Sequence, residues 1–160
     1  AERIIQIYAP HIEKSAVSFE LELPRRAEMQ DRIREYSELG FFVFEVRDLV
    51  VGYAFASKHR TRAAYQWCCE VSAYVDSNYY LFGIGSSLYK RLFVELKEKG
   101  MVNVYAGVVL PNPASVRLHE SVGFKFIGTY EKIGYKFGAW HDVGWWGLRF
   151  DTIMPQEAKA

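Results

Sequence analysis

Hydrophobic residues recur with a helical period in the first forty residues of the chain and with a strand-like period in much of the remainder. Residues 1–13 place three isoleucines and a tyrosine on one helical face. Residues 24–39 form a second apolar stripe between Pro24 and Gly40, which are typical of the start and the end of a helix. Two helices are therefore predicted before the first strand.

The rest of the chain predicts six strands and two more helices. The predicted strands are residues 41–47, 50–57, 65–75, 102–109, 124–137 and 142–150. The predicted helices are residues 86–99 and a short one that begins at Pro113 and ends at Gly123. This order predicts an α+β (α/β) fold, a mixed, mostly antiparallel sheet covered by helices, in one domain over residues 1–150. A polar tail, residues 151–160, follows it.

Charge and apolar-run length exclude some functions. Twenty basic and nineteen acidic side chains give a net charge of +1, which leaves no basic excess to neutralise nucleic-acid phosphates. No apolar run reaches membrane-spanning length, and no signal-like segment opens the sequence. We expect a soluble, cytoplasmic protein whose partners are neither nucleic acid nor membrane.

Cys68 and Cys69 are adjacent in a strand-like segment, so their side chains point to opposite faces and no disulfide between them is expected. Core packing is the main interpretation, and a catalytic thiol is the alternative. Two cysteines provide too few zinc ligands. No metal is predicted.

A glycine-punctuated loop at Gly83 and Gly85 precedes the helix predicted from Ser86. Glycines allow a tight turn whose N–H groups converge, and a helix N-terminus favours an anion such as a pyrophosphate. This signal alone is weak. It is sharpened by residues 112–124, about one strand later, because the two features together are what acetyl transfer from acetyl-coenzyme A requires.

Glu70 is the candidate general base for such a reaction, because an ammonium group must lose a proton before its nitrogen can attack. It is a carboxylate in an otherwise apolar run and shares a strand face with Ser72 and Tyr74. The alternative is an ion pair with Arg60 or Arg62 at the sheet rim.

His119 lies four residues beyond Ser115, on the same face of the short helix. It is a candidate to protonate a leaving thiolate or to orient the substrate. A capping or packing histidine is the alternative. Asn112 and Ser115 either cap the helix or also reach a pantetheine amide.

Arg60 and Arg62 are candidates to bind a substrate carboxylate, with a solvated loop as the alternative. The aromatic residues are mostly core by expectation, with one or two of them in the wall of an acceptor pocket. These residues are Phe19, Tyr65, Trp67, Trp140, Trp145 and Trp146.

Five segments carry a family resemblance that extends over about residues 1–150. They read SAVSFE, RTRAAYQWCCEVSAYV, GIGSSLY, LPNPASVRLHESVGF and GYKFGAWHDVGWW. The chain resembles the GCN5-related N-acetyltransferases (GNAT), and within them the phosphinothricin and methionine sulfoximine N-acetyltransferase branch. The last segment is particular to that branch.

The resemblance implies a GNAT fold with acetyl-CoA in a cleft where the central strands splay apart. Glu70 matches the general base, and His119 matches the position of a general-acid tyrosine in many relatives. Arg62 and Phe19 match acceptor-binding positions, to which we add Tyr65. The implied cofactor contacts are Ala73, Tyr74, Val75, Leu81, Phe82, Gly83, Ile84, Gly85, Ser86 and Asn112, with Ser115 beside them. Family members are typically homodimers that acetylate the α-amine of small amino-acid analogues.

Two features depart from the family pattern. The loop usually opens with Gln or Arg, whereas this chain has Tyr80 followed by Leu81 and Phe82, so weaker cofactor affinity is expected. Family chains also have a strand before the first helix, and this sequence starts at that helix. We expect the natural N-terminus to lie upstream and a sheet edge to be uncovered.

The leading hypothesis is an N-acetyltransferase for a small amino-acid-like amine, in which Glu70 acts through water and the Val75 N–H polarises the thioester. One alternative is a CoA-binding module with little catalysis. The other is an acetyltransferase for peptide or protein amines. The sequence does not identify the acceptor.

Overall fold

The computed structural model describes residues 1–151, which form four helices and six strands. The helices are α1 (Glu2–Glu13), α2 (Arg26–Ser37), α3 (Ile84–Glu98) and α4 (Pro113–Ser121). The strands are β1 (Phe41–Val46), β2 (Leu49–Lys58), β3 (Cys68–Val75), β4 (Asn103–Leu110), β5 (Lys125–Lys136) and β6 (Ala139–Arg149).

All six strands belong to one sheet in the order β1-β2-β3-β4-β6-β5. Each neighbouring pair is antiparallel except β3 with β4, which are parallel and pair only where Cys68–Glu70 face Asn103–Tyr105. Beyond these residues the two central strands separate. The predicted mixed, mostly antiparallel sheet with a splayed centre is confirmed.

Helices cover both faces of the sheet. The apolar stripe of α3 packs on one face against residues such as Val51, Ala54 and Val104, all fully buried. Isoleucines of α1 and Met29 of α2 pack on the other face around Tyr53. The sheet therefore buries apolar side chains on both sides, and its central strands form the middle layer.

Cys69 belongs to the core under α3 and is fully buried. Burial raises the pKa of its thiol to about 12, so the sulfur stays protonated at neutral pH and is a poor nucleophile. Both cysteines are free. The packing interpretation is confirmed for Cys69, and the catalytic-thiol alternative fails there.

Several element boundaries differ from the prediction by a few residues, and at three of them the backbone shows the cause. α3 begins at Ile84 rather than at Ser86, because Gly83 adopts a left-handed conformation at φ +72° and caps the helix. β3 begins at Cys68, because Ala63–Tyr65 form a 3-10 turn. β6 begins at Ala139, because Phe137 and Gly138 make a two-residue hairpin turn with positive φ at both positions.

Lys136 anchors the segment between α1 and α2. Its side chain is buried, and Nζ donates hydrogen bonds to the carbonyls of Ile12, Ser15 and Ser18 at 2.6, 3.0 and 2.8 Å. Phe19 lies against β5 at Gly134, where an added Cβ would come within 2.3 Å of its ring. The loop that carries Phe19 is thus held over the sheet.

Within residues 1–151, no helix combines the length and the apolar character that crossing a membrane requires. Apart from Asp151, the predicted polar tail lies outside the described residues.

Candidate active site

A cavity of about 50 Å³ opens where β3 and β4 separate, and we call it the strand cleft. Residues of β3, β4, α3 and α4 line it, together with Val17. Within the described part of the chain, no strand pairs with β3 on this side beyond Glu70. Alternate N–H and C=O groups of residues 71–75 therefore face the cleft with their hydrogen-bonding capacity unused by the sheet.

Several predicted cofactor contacts come together in the strand cleft. Ala73, Tyr74, Asn112 and Ser115 line it, whereas Val75 does not. Asn112 also caps α4, because its side-chain oxygen accepts a hydrogen bond from the Ser115 N–H at 3.1 Å. Both alternatives considered for Asn112 are thus compatible with its position.

The predicted anion-binding loop leads directly into α3. The first intrahelical hydrogen bond runs from the Ser87 N–H to the Gly83 carbonyl, so the N–H groups of the preceding residues have no partner within the helix. Leu81 has a positive φ of 69° and is fully exposed, and Phe82 is also exposed. The loop keeps backbone donors but presents apolar side chains.

Gly85 does not form the tight turn that was predicted for it. It lies inside α3 and is buried, and an added Cβ would come within 2.9 Å of the Leu118 side chain. Of the two glycines, Gly83 is the one with a left-handed conformation. The second glycine is therefore required for the close packing of α3 on α4.

His119 is buried, and both of its ring nitrogens are bonded. Nδ1 lies 2.7 Å from the Ser115 carbonyl, which only accepts, so Nδ1 carries the hydrogen. Nε2 then accepts from the Tyr89 hydroxyl at 2.9 Å. Tyr89 also lines the strand cleft, and the sequence analysis did not single it out.

Burial lowers the pKa of His119 below its usual value of 6.5, and the hydrogen bond to Ser115 offsets part of the shift. Burial raises the pKa of the Tyr89 hydroxyl. At neutral pH both groups are therefore neutral, and neither is a ready proton donor. This geometry favours the packing and positioning interpretation of His119.

The lowered pKa of His119 predicts a pH-dependent stability. The unfolded chain binds a proton that the folded chain excludes, so this contribution is complete above pH 6.5 and is lost as the pH falls below it. In the wild type the free energy of unfolding should therefore fall as the pH falls below 6.5. We expect His119→Asn to reduce the slope of this fall by up to about 1.4 kcal/mol per pH unit. Denaturant unfolding of both proteins between pH 7.5 and 5.5 measures it. Parallel declines would contradict the assignment.

Glu70 is paired with a histidine and not with either predicted arginine. Its Oε2 lies 3.0 Å from Nδ1 of His59, and both side chains are partly buried. Arg60 and Arg62 are exposed and, within residues 1–151, make neither hydrogen bond nor ion pair through their side chains. The alternative ion pair of Glu70 with Arg60 or Arg62 is therefore wrong.

His59 is a site residue that sequence reasoning missed. His59 follows Lys58, and Lys58 pairs in register with Cys69. The pairing of β2 with β3 therefore places His59 close to Glu70. Its ring lies 5.0 Å from that of Tyr105 and 6.2 Å from that of Tyr65. A signal was present in the sequence: His59 directly follows β2, and β2 pairs with β3, the strand that carries Glu70.

Trp145 is one of the six aromatic residues from which the sequence analysis expected one or two in an acceptor pocket, and the structure places it near the site. Its indole lies over Gly107, a residue of the strand cleft, where an added Cβ would come within 3.2 Å. Its buried Nε1 has no hydrogen-bond partner within the described residues. Its ring centroid is 6.5 Å from that of His59. A buried, unused donor therefore lies between the strand cleft and the Glu70–His59 pair.

The residues predicted to bind the acceptor do not form one cluster. Tyr65 is exposed on its 3-10 turn beside His59, and Arg62 directly precedes that turn. Phe19 is partly exposed, with its ring centroid 6.3 Å from that of His141. Within residues 1–151, no group of three or more His, Cys, Asp or Glu side chains is placed to hold a metal ion.

Comparison with known proteins agrees with this geometry. The family model described as acetyltransferase (GNAT) domain matches residues 1–145. The chain belongs to the GNAT acetyltransferase family. The predicted fold class and the predicted enzyme class are thereby confirmed, and the alternative of a module with little catalysis is not supported.

Named GNAT relatives cover most of the chain. A phosphinothricin N-acetyltransferase of Streptomyces viridochromogenes is 37% identical over 95% of this chain and 84% of its own length. An L-methionine sulfoximine/L-methionine sulfone acetyltransferase of Salmonella typhimurium is 33% identical over 72% and 68%. The crystal structure of a Sinorhizobium meliloti phosphinothricin acetyltransferase in complex with AcCoA has a TM-score of 0.90 at 27% identity, covering 99% of this chain and 87% of that one.

Proposed function

We propose that this GNAT protein transfers an acetyl group from acetyl-CoA to the amine of a small amino-acid-like acceptor. The observation that carries the proposal is the position of the Glu70–His59 pair at the point where β3 and β4 part. A base and an open strand edge are thus adjacent. The names of the relatives, which act on phosphinothricin and on methionine sulfoximine, support this acceptor class.

The residues present fit acetyl-CoA. The free edge of residues 71–75 offers alternating backbone donors and acceptors to the amides of an extended arm, as an added strand would use them. The unpaired N–H groups at the start of α3 suit a pyrophosphate. When bound, acetyl-CoA supplies the acetyl group as a thioester, whose C–S bond breaks as the new C–N bond forms.

Glu70 and His59 act as the base. Glu70 accepts a hydrogen bond from His59, which orients the carboxylate beside Ser72 on the same strand face. Of the three hydrogens on the acceptor's ammonium group, one passes through water to this pair, one leaves to the departing sulfur, and one stays on the amide nitrogen. Along β3 the N–H groups of Tyr74 and Asp76 are directed at β2, so those of Ala73 and Val75 are the candidates to donate to the carbonyl oxygen.

His119 holds the cleft in shape rather than donating a proton. It links Ser115 on α4 to Tyr89 on α3 by hydrogen bonds at 2.7 and 2.9 Å. These hydrogen bonds fix α3 and α4 relative to each other, and residues of both helices line the strand cleft. The free guanidinium groups of Arg60 and Arg62 serve the acceptor's carboxylate, with Phe19 and Tyr65 flanking it.

Thiol release from acetyl-CoA tests the proposal. The panel contains phosphinothricin, methionine sulfoximine, methionine sulfone, free amino acids and a short peptide. We expect saturable release with at least one amino-acid analogue and none with the peptide. Release with the peptide alone would overturn the acceptor class, and no release with any amine despite CoA binding would overturn the activity.

We propose in addition that two copies associate through the β5–β6 hairpin. β5 lies at the edge of the sheet, and the hairpin exposes a run of apolar side chains that a second copy would bury. These are Phe126, Ile127, Tyr130, Ile133, Tyr135, Phe137 and Trp140. Sedimentation is expected to give about twice the chain mass of 18.5 kDa, and a monomer would refute the association.

We propose a cytoplasmic location as well. Both cysteines are free, which agrees with a reducing compartment. Fractionation of cells that produce the protein is expected to place it in the cytoplasmic fraction, and recovery outside the cytoplasm would contradict this.

A further inference from the structure

A second cavity, of about 250 Å³, lies between the sheet and the helices α1 and α2, and we call it the aromatic cavity. Six aromatic side chains line it: Tyr8, Tyr36, Phe41, Tyr53, Phe55 and Tyr74. Several stack on each other, with ring centroids 4.5 Å apart for Tyr36 and Phe55 and 5.6 Å apart for Phe41 and Tyr53. The walls of the cavity are therefore held by mutual packing.

The charged side chains that line this cavity form an ion pair. Glu20 and Arg32 both line it, and their side chains are joined at 2.6 Å. Arg32 is also bonded to Glu28 at 2.5 Å. Glu28 is exposed and does not line the cavity, so Arg32 bonds to Glu20 at the cavity and to Glu28 outside it.

Glu20 retains an unused oxygen. Its Oε1 bonds to Arg32, while Oε2 is buried without a hydrogen-bond partner among residues 1–151. A buried carboxylate oxygen without a donor is unfavourable, and natural structures satisfy such atoms with water or ligand. Burial, with the charge of Glu20 as a smaller contribution, raises the pKa of the Tyr8 and Tyr74 hydroxyls, so these walls stay neutral.

The aromatic cavity adjoins the proposed reaction site. Ser72 and Tyr74 line both it and the strand cleft. Ser57, which also lines the aromatic cavity, pairs in register with Glu70. An acceptor whose amine reaches the base has its other end next to the aromatic cavity.

We propose that the aromatic cavity binds a second cationic group of the acceptor, so that the preferred substrates are amino acids whose side chain ends in an ammonium group. This inference rests on the proposed acetyl transfer and narrows its acceptor class. Aromatic faces attract a cation through their quadrupole, and Glu20 Oε2 supplies the charge-assisted hydrogen bond. An anionic side chain would meet the unpartnered Oε2 of Glu20 and the negative ring faces instead.

Matched acceptors test the preference. The series runs from 2,3-diaminopropionate to lysine, and each diamino acid is compared with its neutral isostere, such as norleucine for lysine. We expect kcat/KM for at least one diamino acid to exceed that of its isostere by about tenfold or more, given the strength of charged hydrogen bonds. Equal or higher values for every isostere would overturn the inference.

Glu20→Gln is the decisive variant, and Glu22→Gln is its control. Both changes remove one carboxylate from the same loop, but Glu22 is exposed and does not line the cavity. Glu20→Gln should reduce the diamino acid's advantage about tenfold and leave the isostere's kcat/KM within about threefold. Glu22→Gln should leave both unchanged, and an equal loss in the two variants would refute a local role.

Calorimetric binding of the preferred diamino acid to the whole chain gives a readout besides turnover. We expect Glu20→Gln to weaken this binding about tenfold. Turnover of neutral amino acids without any cation preference would leave the proposed function standing and reject the inference. Binding that depends on Glu20, without turnover of any amine, would support the cavity assignment and reject the proposed function.

Discussion

Glu70→Gln is expected to lower kcat at neutral pH by about 100- to 1000-fold, the range that a positioned general base contributes. Glutamine retains an oxygen that accepts the hydrogen bond from His59, so the local geometry persists while the basic oxygen is lost. Glu70 does not line the strand cleft, so the Kd of CoA should be unchanged. Steady-state rates across pH and calorimetry with CoA measure the two quantities.

The pH dependence makes this expectation specific. As the pH rises, a growing fraction of the free acceptor amine is already neutral, so the deficit of the Glu70→Gln variant should shrink. Glu45→Gln makes the same change on an exposed residue of β1 and should retain wild-type turnover. If Glu70→Gln matches the wild type at every pH, Glu70 has no part in the reaction.

Ser86→Asp is expected to raise the Kd of CoA about tenfold to hundredfold relative to Ser86→Asn, or by roughly 1.4–2.7 kcal/mol. Ser86 lies in the first turn of α3, which contains no acidic residue. A carboxylate there faces the proposed pyrophosphate position, and the asparagine has the same shape without the charge. Calorimetric titration with CoA compares the two variants.

The same substitution should not lower the free energy of unfolding, although it weakens CoA binding. A carboxylate in the first turn interacts favourably with the helix dipole, by about 0.3–1 kcal/mol. Ser86→Asp should therefore be at least as stable as Ser86→Asn while it binds CoA more weakly. High salt should narrow the difference in affinity. Equal affinities at low salt would show that the anion binds elsewhere.

Local patterns in the sequence predicted most of the fold. Helical and strand periods located every element, and Asn112 with Pro113 marked the start of α4. The errors fell at boundaries where turn conformation decides. With Gly83 as its cap, α3 begins two residues earlier than predicted, and β3 begins later because Ala63–Tyr65 form a turn. The pattern of apolar residues does not determine the backbone φ of a single residue.

Site residues could be predicted where a single helix or strand determines their position. Asn112 and Ser115 were singled out from helix capping and spacing, and Ala73 and Tyr74 from the family resemblance; all four line the strand cleft. The alternative considered for Glu70, an ion pair with Arg60 or Arg62, is wrong. Arg60, Arg62 and His59 share one loop, and spacing along the chain does not tell which of them the β2–β3 pairing directs to the carboxylate.

By itself, the sequence determined the α+β architecture, the family and the chemical class of the site, because apolar periodicity, capping residues and motif spacing act over short stretches of chain. The tertiary structure alone decided how distant side chains meet. It joined Glu70 to His59, placed Tyr89 against His119, packed Gly85 on Leu118, and enclosed Glu20 with Arg32 among aromatic rings. Such contacts depend on strand register and helix packing, which bring together residues that are far apart in the chain.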